Sequence, residues 1–153
     1  PLVVYTESRK FAELIHDVLA ETRGIPTGLV TGKVSDKGRQ RVIEQFQGGQ
    51  LQVVVGTIGA GAEGITLHRA NRIVLAQLDW LQGRNNQAID RVHRIGQSRA
   101  VQPIVLVARD TIDVAKAMVH LGRVADAQAL LRDPGRLREA MLGGYDLHAA
   151  LRA

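Results

Sequence analysis

The sequence contains no cysteine among its 153 residues, so disulfide bonds and thiolate metal sites are excluded. Five histidines are present, but they are scattered and lack the spacing of a zinc site. Neither a run of about 18 apolar residues nor a basic start followed by an apolar stretch occurs, so no membrane span or signal peptide is predicted. We therefore expect a soluble protein without a membrane partner, intracellular in the cytoplasm or nucleoid, or in the nucleus if the source is eukaryotic.

Lysine is scarce as well. Only four of the 20 basic residues are lysines, and the remainder are arginines, whose planar guanidinium suits bidentate phosphate contacts. The net charge of +5 and a sequence pI near 10.2 favour an anionic partner such as nucleic acid. A genome rich in G and C would account for the arginines equally well, because alanine and glycine are also abundant.

Strand and helix patterns alternate along the first two thirds of the chain, and hydrophobic residues make up 45% of the sequence. Strands are predicted at residues 2–6, 28–31, 51–55, 72–78 and 101–108. Helices are predicted at residues 11–19, 36–46 and 85–94. This alternation indicates an α/β fold with an open parallel sheet flanked by helices, and ligands of such sheets bind at the carboxyl ends of the strands.

Several single residues carry structural expectations. Ser8 and Thr111 are predicted to be helix N-caps. Pro103 cannot donate to a strand ladder, so it is expected near a strand start or at a sheet edge. Arg39 is predicted on the outward face of its helix, and Trp80, the only tryptophan, is predicted to be a buried packing anchor.

The most informative stretch is Gln-Ala-Ile-Asp-Arg-Val-His-Arg-Ile-Gly-Gln, which begins at Gln87. Arg91 and Arg94 are three residues apart, so on a helix they project from one face and can converge on the same anion. Such a pair suits the γ-phosphate of a nucleotide at a domain boundary, where an arginine finger stabilises phosphoryl transfer. A solvated basic helix face is the alternative that spacing alone leaves open.

This stretch resembles motif six of the Swi/Snf-family translocases, a branch of the superfamily-two helicases. The resemblance implies a RecA-like lobe in which Arg91 and Arg94 reach across a cleft to a nucleotide held by another lobe. It also implies that Gln87 helps to organise that cleft. His93 is expected to have a structural place in the motif.

Residues 53–67 are similar to motif five of the same family, because a buried strand leads into a glycine-rich loop whose backbone amides can approach a phosphate. The resemblance implies that Thr57, with Gly56 and Gly59, holds a DNA phosphate. It places Gly64 and Thr66 nearer the nucleotide ribose. The loop departs from the commonest pattern, because Gly56-Thr57 supplies only one hydroxyl and Thr66 stands in place of Asn, but as a whole it looks similar to the loop of the annealing-helicase branch.

Two further positions are candidates for contact with nucleic acid. The Thr6-Glu7-Ser8 stretch resembles motif four and its flank, and Thr6 is the predicted contact. Lys33 lies on a glycine-containing turn that resembles the family's stretch ahead of Arg39. A solvated lysine is an equally good interpretation of Lys33. Contacts of this kind position a protein on the DNA backbone without reading bases.

The phosphate-binding Gly-x-x-x-x-Gly-Lys-Ser/Thr loop and the acidic metal-binding motif of a translocase motor do not occur in this sequence. The resemblance implies that both belong to a first lobe, in the same parent polypeptide or a separate one, which would hold ATP and Mg²⁺. The chain is therefore predicted to be half of an ATP hydrolase acting on double-stranded DNA, and to be inactive alone. Residues 1–118 are assigned to the lobe and residues 119–153 to a helical tail.

Two other functions stay open. The chain could be a stand-alone nucleic-acid-binding or regulatory module that kept the fold but lost the motor, although the arginine pair is then unexplained. It could also be the second lobe of an RNA helicase, which is disfavoured because Asp90 and His93 stand where the DEAD-box pattern usually has glycines.

Overall fold

The computed structural model describes residues 1–61, 66–92, 100–109 and 111–120. The chain divides into two compact units, Pro1–Leu106 and Val107–Ala153. Within the described ranges, none of the helices has both the length and the apolar character needed to cross a bilayer. The tail predicted at residues 119–153 lies outside the described residues except for its first two positions.

The first unit contains five strands and four helices among its described residues. The strands are β1 Leu2–Thr6, β2 Thr27–Val30, β3 Val53–Thr57, β4 Arg72–Leu75 and β5 Gln102–Val105. The helices are α1 Arg9–Asp17, α2 Asp36–Gln47, α3 Ile58–Gly61 and α4 Gln82–Asp90, and a π-helical turn at Val18–Thr22 continues α1. The described part of the second unit contains α5 Ile112–His120.

The five strands form one parallel sheet with the order β2-β3-β1-β4-β5. This confirms the predicted open α/β architecture. β1 lies at the centre and pairs with β3 on one side and β4 on the other, so that Thr6 is level with Thr57. The loops after these three strands therefore begin close together at the carboxyl edge of the sheet, where ligands of such folds bind.

The two faces of the sheet are covered by different helices. Val4 and Val55 pack against Ala12 of α1 on the first face. Successive strand residues point to opposite faces, so Val54 belongs to the second face. Gly28, paired with Val54, has no side chain because a Cβ there would lie 2.5 Å from Val42 of α2. Both faces are thus covered, which explains why the central strands are almost wholly apolar.

Local capping sets the helix boundaries. The Ser8 hydroxyl accepts a hydrogen bond from the Phe11 amide over 3.4 Å, which confirms the predicted N-cap of α1. Ser35 caps α2 in the same way, a role that the sequence analysis missed. α2 ends at Gln47 with Gly48 as its C-cap, and Gly49 then adopts a φ of 85°, a backbone conformation that favours glycine. In the second unit, the Thr111 hydroxyl accepts from the Asp113 amide over 3.2 Å, as predicted.

Two predicted burial states are wrong. Trp80 is 37% exposed, because β4 ends at Leu75 and the chain has left the sheet before it reaches the tryptophan. Arg39 is half-buried rather than outward, and its Nε atom is shielded from solvent. The predicted strand at residues 72–78 is correspondingly too long by three residues. Pro103 is the second residue of β5, the strand that ends the sheet, as expected of a residue without an amide proton.

Candidate functional site

Thr57 ends β3 at the carboxyl edge and begins the glycine-rich loop. Its hydroxyl oxygen accepts a hydrogen bond from the Ala60 amide over 3.4 Å, so Thr57 caps the short helix α3. A hydroxyl that accepts one hydrogen bond keeps its own proton for donation. Thr57 is half-buried, and the next glycine, Gly59, is exposed, with no atom of the described residues within 4 Å of where a Cβ would be. A hydroxyl donor and an open stretch of backbone therefore lie side by side.

Position 56 must be glycine because the neighbouring strands pack closely around it. A Cβ at this position would lie 2.9 Å from the carbonyl oxygen of Val30 and 3.3 Å from Cε1 of Tyr5. Gly56 is also buried in β3. Close packing between strands thus requires this glycine whether or not its amide contacts a phosphate.

The start of α4 is fixed by an amide network that the sequence analysis missed. Asn85 is buried, accepts a hydrogen bond from the Asp79 amide over 3.0 Å and donates one to the Asp79 carbonyl over 2.9 Å. The Asp79 carboxylate in turn accepts from the Leu81 amide over 2.9 Å and from Arg84 over 3.1 Å. In the sequence, the network is indicated only by an Asp and an Asn six positions apart, Asp79 and Asn85. This network positions the helix that carries Gln87 and that ends directly before Arg91.

Arg91 lies directly after α4 and is half-buried. Its amide donates to the carbonyl of Gln87 over 3.3 Å, and its own carbonyl accepts from the Leu67 amide over 3.2 Å. The second contact joins the end of the motif-five loop to the motif-six helix. Gln87 itself is exposed on α4. The structure therefore brings two of the predicted motifs into direct backbone contact.

The phenol of Tyr5 is completely enclosed on the same side of the sheet as Gly56. Burial raises the pKa of Tyr5 far above its usual range, and the positive charge of Arg91 lowers it by a smaller amount. The Tyr5 hydroxyl has no hydrogen-bond partner among the described residues. An enclosed hydroxyl of this kind is rare in folded proteins.

The remaining predicted residues are placed as follows. Thr66 is half-buried, and its carbonyl accepts from the Gln47 amide group over 2.9 Å. Lys33 is exposed on the turn between β2 and α2.

Thr6 is buried, and its hydroxyl donates to the Ser8 carbonyl over 2.7 Å, so contact with nucleic acid would require this bond to open. Gly64, His93 and Arg94 lie outside the described residues.

Hydrogen-bond donors lie at this edge of the sheet. They are the Thr57 hydroxyl and the open backbone at Gly59, and Arg91 is joined to the end of the same loop through its carbonyl; hydroxyl, amide and guanidinium donors suit phosphate oxygens. Over the same described ranges, no group of three or more His, Cys, Asp or Glu side chains could hold a metal ion.

The fold and this edge together define a RecA-like lobe. The chain belongs to the helicase conserved C-terminal domain family, whose model matches residues 1–96. Its relatives place it with the Swi/Snf-type ATPases, in agreement with the motifs.

Three relatives show the extent of the match. The chain is 36% identical over 110 residues to the SNF2 domain-containing protein CLASSY 1 of Arabidopsis thaliana, which covers 71% of this chain and 9% of that protein. It is 38% identical over 105 residues to the SWI/SNF-related matrix-associated actin-dependent regulator of chromatin subfamily A-like protein 1 of Xenopus tropicalis. This match covers 66% of this chain and 11% of that protein. It is 28% identical over 111 residues to the putative ATP-dependent helicase/translocase YwqA of Bacillus subtilis, covering 72% and 12%. The chain thus spans about a tenth of the length of these relatives.

Solved structures agree in fold. The C-terminal part of the Fun30 ATPase domain superposes with a TM-score of 0.73 at 22% identity, over 78% of this chain and 38% of that chain. The Sulfolobus solfataricus SWI2/SNF2 ATPase core domain superposes with a TM-score of 0.66 at 22% identity, over 92% and 30%. Both confirm the RecA-like architecture.

Proposed function

We propose that this chain is the second motor lobe of an ATP-dependent double-stranded DNA translocase. The observation that supports it most strongly is the Leu67–Arg91 hydrogen bond, because it joins the motif-five loop to the motif-six helix at the carboxyl edge of the sheet. The family match and the ATP-dependent relatives agree with a motor role.

Arg91 and Arg94 are the proposed arginine fingers. Arg91 leaves the end of a well-anchored helix, so its guanidinium can be presented to a γ-phosphate across a cleft. Arg94 follows three residues later and adds a second cation. Gln87, exposed one turn before Arg91, is the proposed contact that organises the cleft between lobes.

The glycine-rich loop is the proposed grip on the DNA backbone. The Thr57 hydroxyl can donate to a phosphate oxygen while it still caps α3, and the backbone at Gly59 is open to approach. Lys33 is a proposed additional phosphate contact, and Gly56 and Thr6 are weaker candidates because both are buried. Gly64 and Thr66 are the proposed contacts toward the nucleotide ribose.

ATP and Mg²⁺ are assigned mainly to a first RecA-like lobe, from the same parent chain or a separate protein. Bound there, the nucleotide supplies the phosphoryl group that is transferred to water. On closure of the two lobes, Arg91 and Arg94 complete the site, and the Thr57 loop shifts its hold along the DNA with each cycle. Alone, this chain is expected neither to bind ATP tightly nor to hydrolyse it.

The test is ATP hydrolysis by this chain alone, with duplex DNA, and after addition of the first lobe of its parent protein. We expect no ATP hydrolysis by the isolated chain, with or without duplex DNA. After the first lobe is added, we expect ATP hydrolysis that duplex DNA stimulates. If ATP is hydrolysed in none of these mixtures but the chain still binds DNA, a regulatory module is indicated instead. If RNA stimulates hydrolysis more than duplex DNA does, an RNA helicase lobe is indicated.

Arg94→Ala should abolish turnover in the reconstituted motor while the isolated variant keeps the circular-dichroism spectrum of the native chain. A contribution of about 10³-fold or more is typical of an arginine finger. Arg41→Ala, an exposed arginine on α2, is the matched control and should leave turnover unchanged. Full turnover by the Arg94→Ala motor would contradict the assignment.

A further inference from the structure

A cluster of hydrogen bonds ties the end of α2 to the segment 66–69, just after the glycine-rich loop. The Gln47 side chain provides three of these contacts. Its Nε2 donates to the Thr66 carbonyl over 2.9 Å and lies 3.2 Å from Nδ1 of His68, while its Oε1 accepts from the Arg69 amide over 3.3 Å. One side chain thus holds the backbone at two points three residues apart, which fixes both the position and the direction of the segment.

Arg69 secures the same junction from the other side. Its guanidinium donates to the carbonyls of Phe46 and Leu51 over 3.0 and 2.9 Å, and it lies 5.5 Å from the centre of the Phe46 ring. These two carbonyls flank the glycine-containing turn that ends α2. Gln47 and Arg69 together therefore form a clamp, the Gln47–Arg69 clamp, between α2 and the segment 66–69.

The clamped segment is in direct contact with the candidate site. Leu67 lies between the two points that Gln47 holds, is almost completely buried, and donates its amide to the Arg91 carbonyl over 3.2 Å. The Thr66 carbonyl that Gln47 contacts and the Leu67 amide belong to one peptide group. A single hydrogen bond therefore separates this group from the backbone of Arg91. Displacement of the segment would therefore displace the end of α4.

We propose that Gln47 is a positioning residue for Arg91: through Thr66 and Arg69 it fixes the Leu67 amide, which in turn fixes the residue that carries the finger. This inference rests on the proposed function, because it assigns Gln47 a part in the same site. Gln47 does not touch the reacting atoms. Its effect is on the orientation of Arg91, and a misplaced catalytic group loses rate even when its own chemistry is unchanged.

The first test measures amide hydrogen exchange in the full 153-residue chain, with no nucleotide or partner present. Gln47→Ala should speed exchange at the Leu67 and Arg69 amides by about tenfold, the loss expected for roughly one hydrogen bond. The amides of Val53, Val54 and Val55 in β3 should keep their protection. Gln40→Ala, which removes an exposed glutamine from the same helix, is the matched control and should change none of these amides.

The second test uses the two-lobe motor. Gln47→Ala should lower kcat for DNA-stimulated ATP hydrolysis by about tenfold with duplex DNA affinity unchanged. Gln47→Glu should fail similarly, because a carboxylate can accept from the Arg69 amide but cannot donate to the Thr66 carbonyl. In an Arg91→Lys background, which keeps a cation but loses the guanidinium fork, Gln47→Ala should cause little further loss.

The outcomes separate the inference from the function on which it rests. If Arg91→Lys leaves turnover unchanged, the proposed finger role fails. If Arg91→Lys slows turnover but Gln47→Ala does not, only the positioning role fails. Equal losses for Gln47→Ala in both backgrounds, or loss of protection throughout β3, would show that Gln47 stabilises the lobe in general and would overturn the inference.

Discussion

Tyr5 and Gly56 occupy paired positions on β1 and β3, and the tyrosine ring lies so close to the glycine that an added Cβ would sit 3.3 Å from Cε1. The same ring holds its hydroxyl in an enclosed position. Gly56, the predicted phosphate contact, is therefore also a packing position beneath the candidate site. Substitutions can separate these two roles.

Gly56→Ala and Gly59→Ala are expected to differ sharply. The new methyl at Gly56 meets a backbone carbonyl at 2.9 Å, so the variant should lose about 1–3 kcal/mol of unfolding free energy. Gly59→Ala meets nothing within 4 Å and should leave stability within about 0.5 kcal/mol. Urea unfolding of the two chains measures this difference.

The Gly59→Ala chain then becomes a clean probe of the loop. Because its fold is unaffected, a weaker hold on duplex DNA would come from the methyl group obstructing a phosphate. Unchanged DNA affinity would show that this part of the loop does not contact the backbone.

Tyr5→Phe should stabilise the lobe by about 1 kcal/mol, because it removes an enclosed hydroxyl that has no hydrogen-bond partner in the described part of the chain and keeps the ring that packs on Gly56. The difference should widen at high pH. Above about pH 10 the phenol ionises in the unfolded chain while burial keeps it protonated in the folded one, so the native chain loses stability as the pH rises.

Urea unfolding at pH 7 and pH 10.5, compared between the native chain and Tyr5→Phe, tests this directly. Tyr145→Phe removes the other phenol of the sequence and controls for the chemical change itself. A less stable Tyr5→Phe chain at neutral pH would mean that the hydroxyl is hydrogen-bonded in solution.

Asn85→Ala should cost about 1–3 kcal/mol, since it leaves the buried amide and carbonyl of Asp79 without their partner. Asn86→Ala, its exposed neighbour on the same helix, should stay within about 0.5 kcal/mol of the native chain. Thermal or urea unfolding compares the pair. Equal effects at both positions would show that the network does not anchor α4.

The order of elements was predictable from sequence because buried parallel strands are short apolar runs and the helices between them have amphipathic spacing. Leu2–Thr6 was predicted with its exact bounds, and Ser8 was recognised as a cap. The end of β4 was not predictable in this way, since apolar residues continue past Leu75 although the chain has left the sheet. A hydrophobic pattern records burial, and burial continues beyond the last strand hydrogen bond.

The candidate site also contains residues that were predicted from the sequence and residues that only the structure revealed. Spacing predicted only that Arg91 and Arg94 share a helix face, and the resemblance to motifs five and six singled out Thr57 and Arg91 as candidate phosphate contacts. Only the tertiary structure revealed the enclosed Tyr5 hydroxyl, the Asn85 network and the Gln47–Arg69 clamp. Gln47 is 19 residues from Thr66 along the chain, and Tyr5 is 51 residues from Gly56. Contacts over such separations depend on how the strands pair and the helices pack, which no local pattern specifies.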